Sequence, residues 1–150
     1  MSASCYGVAA SDYAWAYNSL SQDPCLVATS LGEACNAAYT IGTIGPGLSY
    51  IGPESSVGAT ACVCSSVLYM MLSACGGCQG STVFTLWSEY NLNCETIYPM
   101  VFPEPIPIEI RVPHWAYANV SGPLGGFNPV DAEEIGGAYM YRRSLWPARI

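Results

Sequence analysis

The chain has 150 residues, and its eleven acids and four arginines, with no lysine, give a formal charge of −7. That charge repels phosphate backbones and excludes nucleic acid as the expected partner. Only 10% of the residues are charged while 51% are hydrophobic, so either the core is unusually well filled or part of the surface is apolar and open to a partner.

In chain order, residues 9–20 place Tyr13, Ala16, Tyr17 and Leu20 at i, i+3, i+4 and i+7, which predicts an amphipathic helix. Asp23-Pro24 reads as an N-cap with proline at the first helical position, launching a helix through Leu26, Val27, Leu31 and Ala34 to Cys35. Residues 36–61 are broken by Gly42, Gly45-Pro46-Gly47, Gly52-Pro53 and Gly58, and predict a long loop pinned by the flanking cysteines. The clearest helix covers residues 64–75, with Cys64, Val67, Leu68, Met71, Leu72 and Cys75 on one face and Gly76-Gly77 as its stop. At about 1.5 Å rise per residue its two cysteines sit roughly 16 Å apart, so they must bond to different neighbours.

A further helix over residues 82–93 is expected from Val83, Leu86, Trp87 and Tyr90, leading to Cys94. The prolines that follow, at positions 99, 103, 105, 107 and 113, fix an extended course. The Ile, Phe, Trp and Tyr between them favour a packed belt over residues 95–118. Asn128-Pro129 opens a last short helix, with Asp131, Glu133 and Glu134 at its positive end and Gly136-Gly137 closing it. Residues 139–150 carry three of the four arginines and have no assigned element. The expected fold is mainly α: a small disulfide-stapled bundle of about four helices with a long Gly/Pro loop and a Pro-rich extended C-terminal strap. Residues 1–94 form the cysteine-rich helical domain, and residues 95–150 a strap and tail packed on it.

The cysteines at 5, 25, 35, 62, 64, 75, 78 and 94 are even in number and lie within the first 94 residues. Four structural disulfides are therefore expected among Cys5, Cys25, Cys35, Cys62, Cys64, Cys75, Cys78 and Cys94, in any of 105 pairings. A zinc site would need a second knuckle, whereas Cys75 and Cys78 form the lone CxxC and the lone histidine, His114, is remote. No metal and no cofactor are expected. A thioredoxin-like redox motif follows a strand, but this CxxC follows a helical stripe. Oxidised cysteines imply a secreted or cell-surface location. The opening Met1-Ser-Ala-Ser-Cys5 lacks the basic and apolar regions of a signal peptide, so the expectation is that such a peptide has been removed. No uninterrupted apolar run reaches the roughly 18 to 20 residues of a membrane span.

Catalytic chemistry has little to work with. His114 between Pro113 and Trp115 reads as a packed imidazole, no GxSxG elbow accompanies it, and bridged cysteines offer no thiolate. No carboxylate pair is singled out for glycosidase work, and no DxDxDG calcium loop exists. The chain is expected not to be an enzyme. Asn119-Val120-Ser121 is the one N-x-[ST] sequon and a candidate glycan site. Of the four tryptophans, Trp15 and Trp87 fall on helical stripes, which leaves Trp115 and Trp146 as candidates for a binding surface.

Several runs carry a family resemblance: Asn18-Ser-Leu-Ser-Gln-Asp-Pro-Cys-Leu-Val-Ala, Tyr50-Ile-Gly-Pro, Cys62-Val-Cys-Ser-Ser-Val-Leu-Tyr, Ser73-Ala-Cys-Gly-Gly-Cys-Gln and Trp87-Ser-Glu-Tyr with Cys94. Together with Val112-Pro-His-Trp-Ala-Tyr, the segment from about residue 15 to 120 resembles the ectodomain of uncharacterised basidiomycete fungal proteins. The resemblance implies a fungal secreted or cell-surface protein with no assigned activity; such proteins often continue into a transmembrane helix, and no such span is expected within these 150 residues. A weaker similarity, in the spacings Cys25-x9-Cys35, Cys62-x-Cys64-x10-Cys75 and Cys78-x15-Cys94, is to CFEM domains of fungal surface proteins, some of which bind haem. The Cys35-to-Cys62 gap is far longer than theirs, and it holds Glu54 where they place a haem-contacting Asp. Two functions are thus expected: a non-catalytic structural or interaction module that forms a homo-oligomer or binds cell-wall components, and alternatively a CFEM-like binding domain for haem or another hydrophobic ligand.

Overall fold

The computed structural model describes residues 2–122 and 124–137. Among these residues five α-helices run in the order α1 (Gly7–Asp12), α2 (Pro24–Glu33), α3 (Ser66–Gly77), α4 (Trp87–Tyr90) and α5 (Pro129–Ile135). Single 3-10 turns lie at Ala14–Ala16, Ser56–Gly58 and His114–Tyr117. Among the described residues β pairing amounts to two isolated bridges, Ser65 with Tyr98 and Leu86 with Gly126. The chain is a mainly helical domain stapled by disulfides, and none of its described helices is long and apolar enough to cross a membrane.

α3 is the axis. Ser65 caps its first turn by accepting from the Val67 N–H at 3.0 Å, and all of its residues are buried. A single inner face was expected; the helix is instead apolar all round because it is enclosed all round. α2 covers one side, the His114–Tyr117 turn a second and α4 a third. α2 starts where the Asp23 carboxylate accepts from the Leu26 N–H at 2.7 Å, with Pro24 at the first helical position. Its Val27, Ala28 and Leu31 enter the same core as Val67, Leu68 and Met71 of α3, each large apolar side chain contributing on the order of 1.5 to 3 kcal/mol.

The strap completes the enclosure. Phe102, Ile106, Ile110, Val112, Trp115 and Tyr117 are all buried in that core. The strap is tied at its start by Tyr98, whose N–H donates to the Cys64 carbonyl at 3.0 Å and whose carbonyl accepts from the Ser66 N–H at 3.1 Å. Further along, the buried Asn18 donates through Nδ2 to the Arg111 carbonyl at 2.8 Å, and Gln22 donates to the Glu109 carbonyl at 2.9 Å. Pro-rich chain cannot satisfy itself internally, so these side-chain amides supply partners that a sheet would otherwise provide.

Four expectations are corrected. The helix foreseen over residues 9–20 is α1 followed by a 3-10 turn, and it stops before Tyr17. Asn18 causes the stop: its Oδ1 accepts from the N–H groups of Leu20 and Gln22, at 2.9 and 3.0 Å, and closes a turn in competition with helix. The helix foreseen over residues 82–93 is reduced to α4. Ser81 Oγ donates to the Leu48 carbonyl, Thr85 Oγ1 to the Tyr50 carbonyl and Tyr69 Oη to the Thr85 carbonyl, holding the β-branched and aromatic residues 82–85 outside the helix.

Gly76 and Gly77 do not end α3 but belong to its last turn. A Cβ on Gly77 would meet the Tyr13 ring, and one on Gly76 would press on Ile44 and Tyr50, so these glycines serve close approach. Trp115, finally, presents no binding surface. It is fully buried, edge-on to Trp15 at 5.4 Å and to Phe127 at 6.1 Å.

Candidate functional site

Every cysteine is paired: Cys5–Cys78, Cys25–Cys75, Cys35–Cys62 and Cys64–Cys94. Cys64 and Cys75, at the two ends of one helical stripe, do bond to different neighbours. The Cys35–Cys62 bridge closes the long loop at its base, and Cys64–Cys94 ties the start of α3 to the turn after α4.

The other two bridges meet. Cys25 in the first turn of α2 bonds Cys75 in the last turns of α3, and Cys78 at the α3 C-cap reaches back to Cys5. Cys25 Sγ lies 3.8 Å from Cys78 Sγ, and the sulfurs of Cys5, Cys25 and Cys78 all fall within 4.8 Å of one another. That is metal-ligand spacing, but a disulfide sulfur is not a thiolate and the group does not suit a metal. Cys25, Cys75 and Cys78 are fully buried, whereas Cys5 is half-buried.

Gln79 lines this sulfur cluster. It is buried, and its Nε2 donates to Tyr50 Oη at 2.8 Å and to the Cys75 carbonyl at 3.0 Å while lying 3.4 Å from Cys75 Sγ. Its Oε1 accepts from the Ile44 N–H at 3.2 Å, and Tyr50 Oη donates to the Gly42 carbonyl, so the long loop forms the outer wall. Neither Gln79 nor Tyr50 was singled out from sequence. Gln79 had a legible signal: it stands four residues after Cys75 and directly after Cys78, which places it beside both on a helical course.

Burial holds several tyrosines in and beside the core neutral. Burial pushes Tyr13 up to about 12, and burial with the nearby Tyr50 pushes Tyr39 up to about 12. Burial holds Tyr90 well above the ordinary phenol value, and its Oη donates to the Val63 carbonyl at 2.8 Å.

The second feature is the surface. Among the described residues fifteen large hydrophobic side chains are exposed, led by Val57 at 92%, Leu124 at 86%, Val8 at 78% and Leu92 at 76%. Three of these fall in one region. Gly52 sits against the Tyr90 carbonyl so closely that a Cβ would overlap it, and Asn93 Nδ2 donates to the Pro53 carbonyl at 2.9 Å. These contacts hold the loop that carries Ile51 and Val57 beside the turn that carries Leu92. A cleft of about 240 Å³ opens next to them, lined by Ser56, Asn93, Glu95, Thr96 and Tyr98.

The remaining sequence candidates are dispersed. Asn119 is exposed, its Oδ1 accepting from the Ser121 N–H at 2.9 Å, at the edge of a cleft of about 230 Å³ that also touches Met70, Val120 and Ile135. His114 is half-buried in its 3-10 turn, and Trp87 stacks on Tyr90 in the core. Trp146 lies outside the described residues. Glu54, in the long loop where the CFEM-like reading would place a haem contact, is exposed, and a cleft of about 240 Å³ lies nearby in the same loop region.

The fold and these features define a small, mainly helical, disulfide-stapled domain. No family model matches the chain, and neither a curated protein nor a solved structure matches it.

Proposed function

We propose that this chain is a non-catalytic secreted protein of a fungal cell surface that associates with copies of itself, or with wall components, through exposed apolar side chains. One observation carries the reading: the core is already closed around α3, yet fifteen large hydrophobic side chains remain in solvent. A filled core has no use for them, and the loop that carries exposed Ile51 and Val57 is held beside the turn that carries exposed Leu92, an arrangement suited to an association surface.

The charge pattern sets the conditions. The described residues hold all eleven acids and a single arginine, Arg111, so copies repel one another at long range and salt promotes their contact. Four disulfides suit an oxidising compartment, where they supply stability that a small core alone would not. They also leave no thiol among the described residues for nucleophilic catalysis. Exposed Asn119 is the place for an N-linked glycan on the secretory route, and a glycan there shields the α5 side of the molecule.

The test is the mass of the purified protein by light scattering. Oligomers at micromolar concentration that dissociate when Val57 and Leu92 are replaced by Asp support the proposal. A monomer at every concentration removes self-association and leaves only binding to wall components.

A further inference from the structure

We propose that the two touching disulfides form an exchange relay, in which an external low-molecular-weight thiol is taken up covalently at Cys5 and the reducing equivalent passes inward to Cys75. The α2–α3 staple then remains closed as Cys25–Cys78.

Access selects the first step. Cys5 is half-buried, while Cys25, Cys75 and Cys78 have no exposed surface, and thiolates attack the disulfide sulfur they can reach. Attack on Cys5 Sγ forms a mixed disulfide there, breaks the Cys5–Cys78 bond and leaves its electron pair on Cys78 Sγ. That thiolate lies 3.8 Å from Cys25 Sγ, close to contact distance and with no side chain needing to cross the core.

Electrostatics select the second. Cys78 Sγ faces the carbonyl oxygen of Cys75 at 3.2 Å, a poor neighbour for negative charge. Cys75 Sγ instead has Gln79 Nε2 at 3.4 Å, a donor already held in place by Tyr50 and the Cys75 carbonyl. Hydrogen bonds to a charged sulfur favour it. The Cys78 thiolate therefore attacks Cys25 Sγ, the Cys25–Cys75 bond breaks, and the electron pair goes to Cys75 Sγ, which takes up the proton that the external thiol lost on ionising. One external thiol is oxidised to a mixed disulfide and one protein sulfur is reduced.

The structural result is selective. Cys5–Cys78 is the covalent tie of the N-terminal segment, and α1 contributes no buried residue. The relay unfastens that segment while α2 and α3 stay joined. Because the Asp23 carboxylate stands beside Cys5, accepting from its N–H at 3.1 Å, a cationic thiol reacts faster than an anionic one.

The experiment treats the native full-length protein with one equivalent of cysteamine, quenches with acid, alkylates free thiols and maps linkages without reductant. The expected products are cysteamine on Cys5, alkyl label on Cys75 and a Cys25–Cys78 bond. Alkyl label on Cys78 with Cys25–Cys75 intact overturns the relay, as does failure of cysteamine to reach Cys5. The Cys5→Ser variant tests the second step alone: the relay places its free thiol on Cys75, and a free thiol that stays on Cys78 contradicts it.

Discussion

Cys25 and Cys78 belong to different disulfides, yet their sulfurs are 3.8 Å apart and wholly buried. Their contact follows from α2 and α3 crossing where one carries a cysteine in its first turn and the other has cysteines in its last turns. The pair Cys25→Ala with Cys75→Ala removes the bridge that spans 50 residues without leaving a thiol. Loop-closure entropy gives an expected loss of about 4 kcal/mol, read as a lower denaturation midpoint in guanidinium. A loss below about 1 kcal/mol contradicts a stapling role.

Glycine at 52 and 77 is dictated by what lies against it. A Cβ at Gly52 would fall 1.7 Å from the Tyr90 backbone oxygen, and one at Gly77 would fall 2.1 Å from Tyr13 Oη. Gly77→Ala should cost about 1 to 3 kcal/mol through overpacking, and Tyr13→Ala in the same chain should recover part of it, since the obstruction is a side chain. Gly52→Ala has no such remedy and should cost more. Thermal unfolding of the three variants checks the order.

Asn18 joins the N-terminal turn to the strap through four hydrogen bonds, to Leu20, Gln22 side chain and main chain, and Arg111. Asn18→Ala leaves the Arg111 carbonyl and two N–H groups without these partners. The expected loss is about 2 to 3 kcal/mol, with hydrogen exchange accelerated in residues 106–112 before the rest. Uniform acceleration across α3 would show that Asn18 does not anchor the strap specifically.

Alkaline pH should weaken the fold within a defined window. Tyr13 and Tyr39 are each raised from 10.0 to about 12 when folded, so the native state retains protons that the unfolded state releases. Their contribution is fully present below pH 10 and is lost as pH rises from 10 to 12. Tyrosinate absorbance should show a late-titrating class, and Tyr13→Phe should flatten the fall in stability. A stability that is level from pH 10 to 12 contradicts this.

The helices with backbone signals were legible. Asp23-Pro24 and Asn128-Pro129 mark the starts of α2 and α5, because an oxygen side chain before proline satisfies N–H groups by purely local geometry. The stripe from Val67 to Leu72 likewise revealed α3. What sequence hid was tertiary: Asn18 ending a helix, Thr85 and Ser81 bonding to the distant loop, and glycines needed for contact with Tyr13. Trp115 shows the same limit, since a proline-rich segment gives no periodicity to distinguish a buried tryptophan from an exposed one. The disulfide partners were not legible, because the pairing depends on how helices cross.

The most direct test of the apolar surface is light scattering across a concentration and salt series, on the wild-type chain and on Val57→Asp with Leu92→Asp. The expected result is an oligomer whose mass grows with protein and with salt, the double variant remaining a folded monomer with intact disulfides. A wild-type chain that scatters as a monomer at high salt and high micromolar concentration would contradict association through this surface.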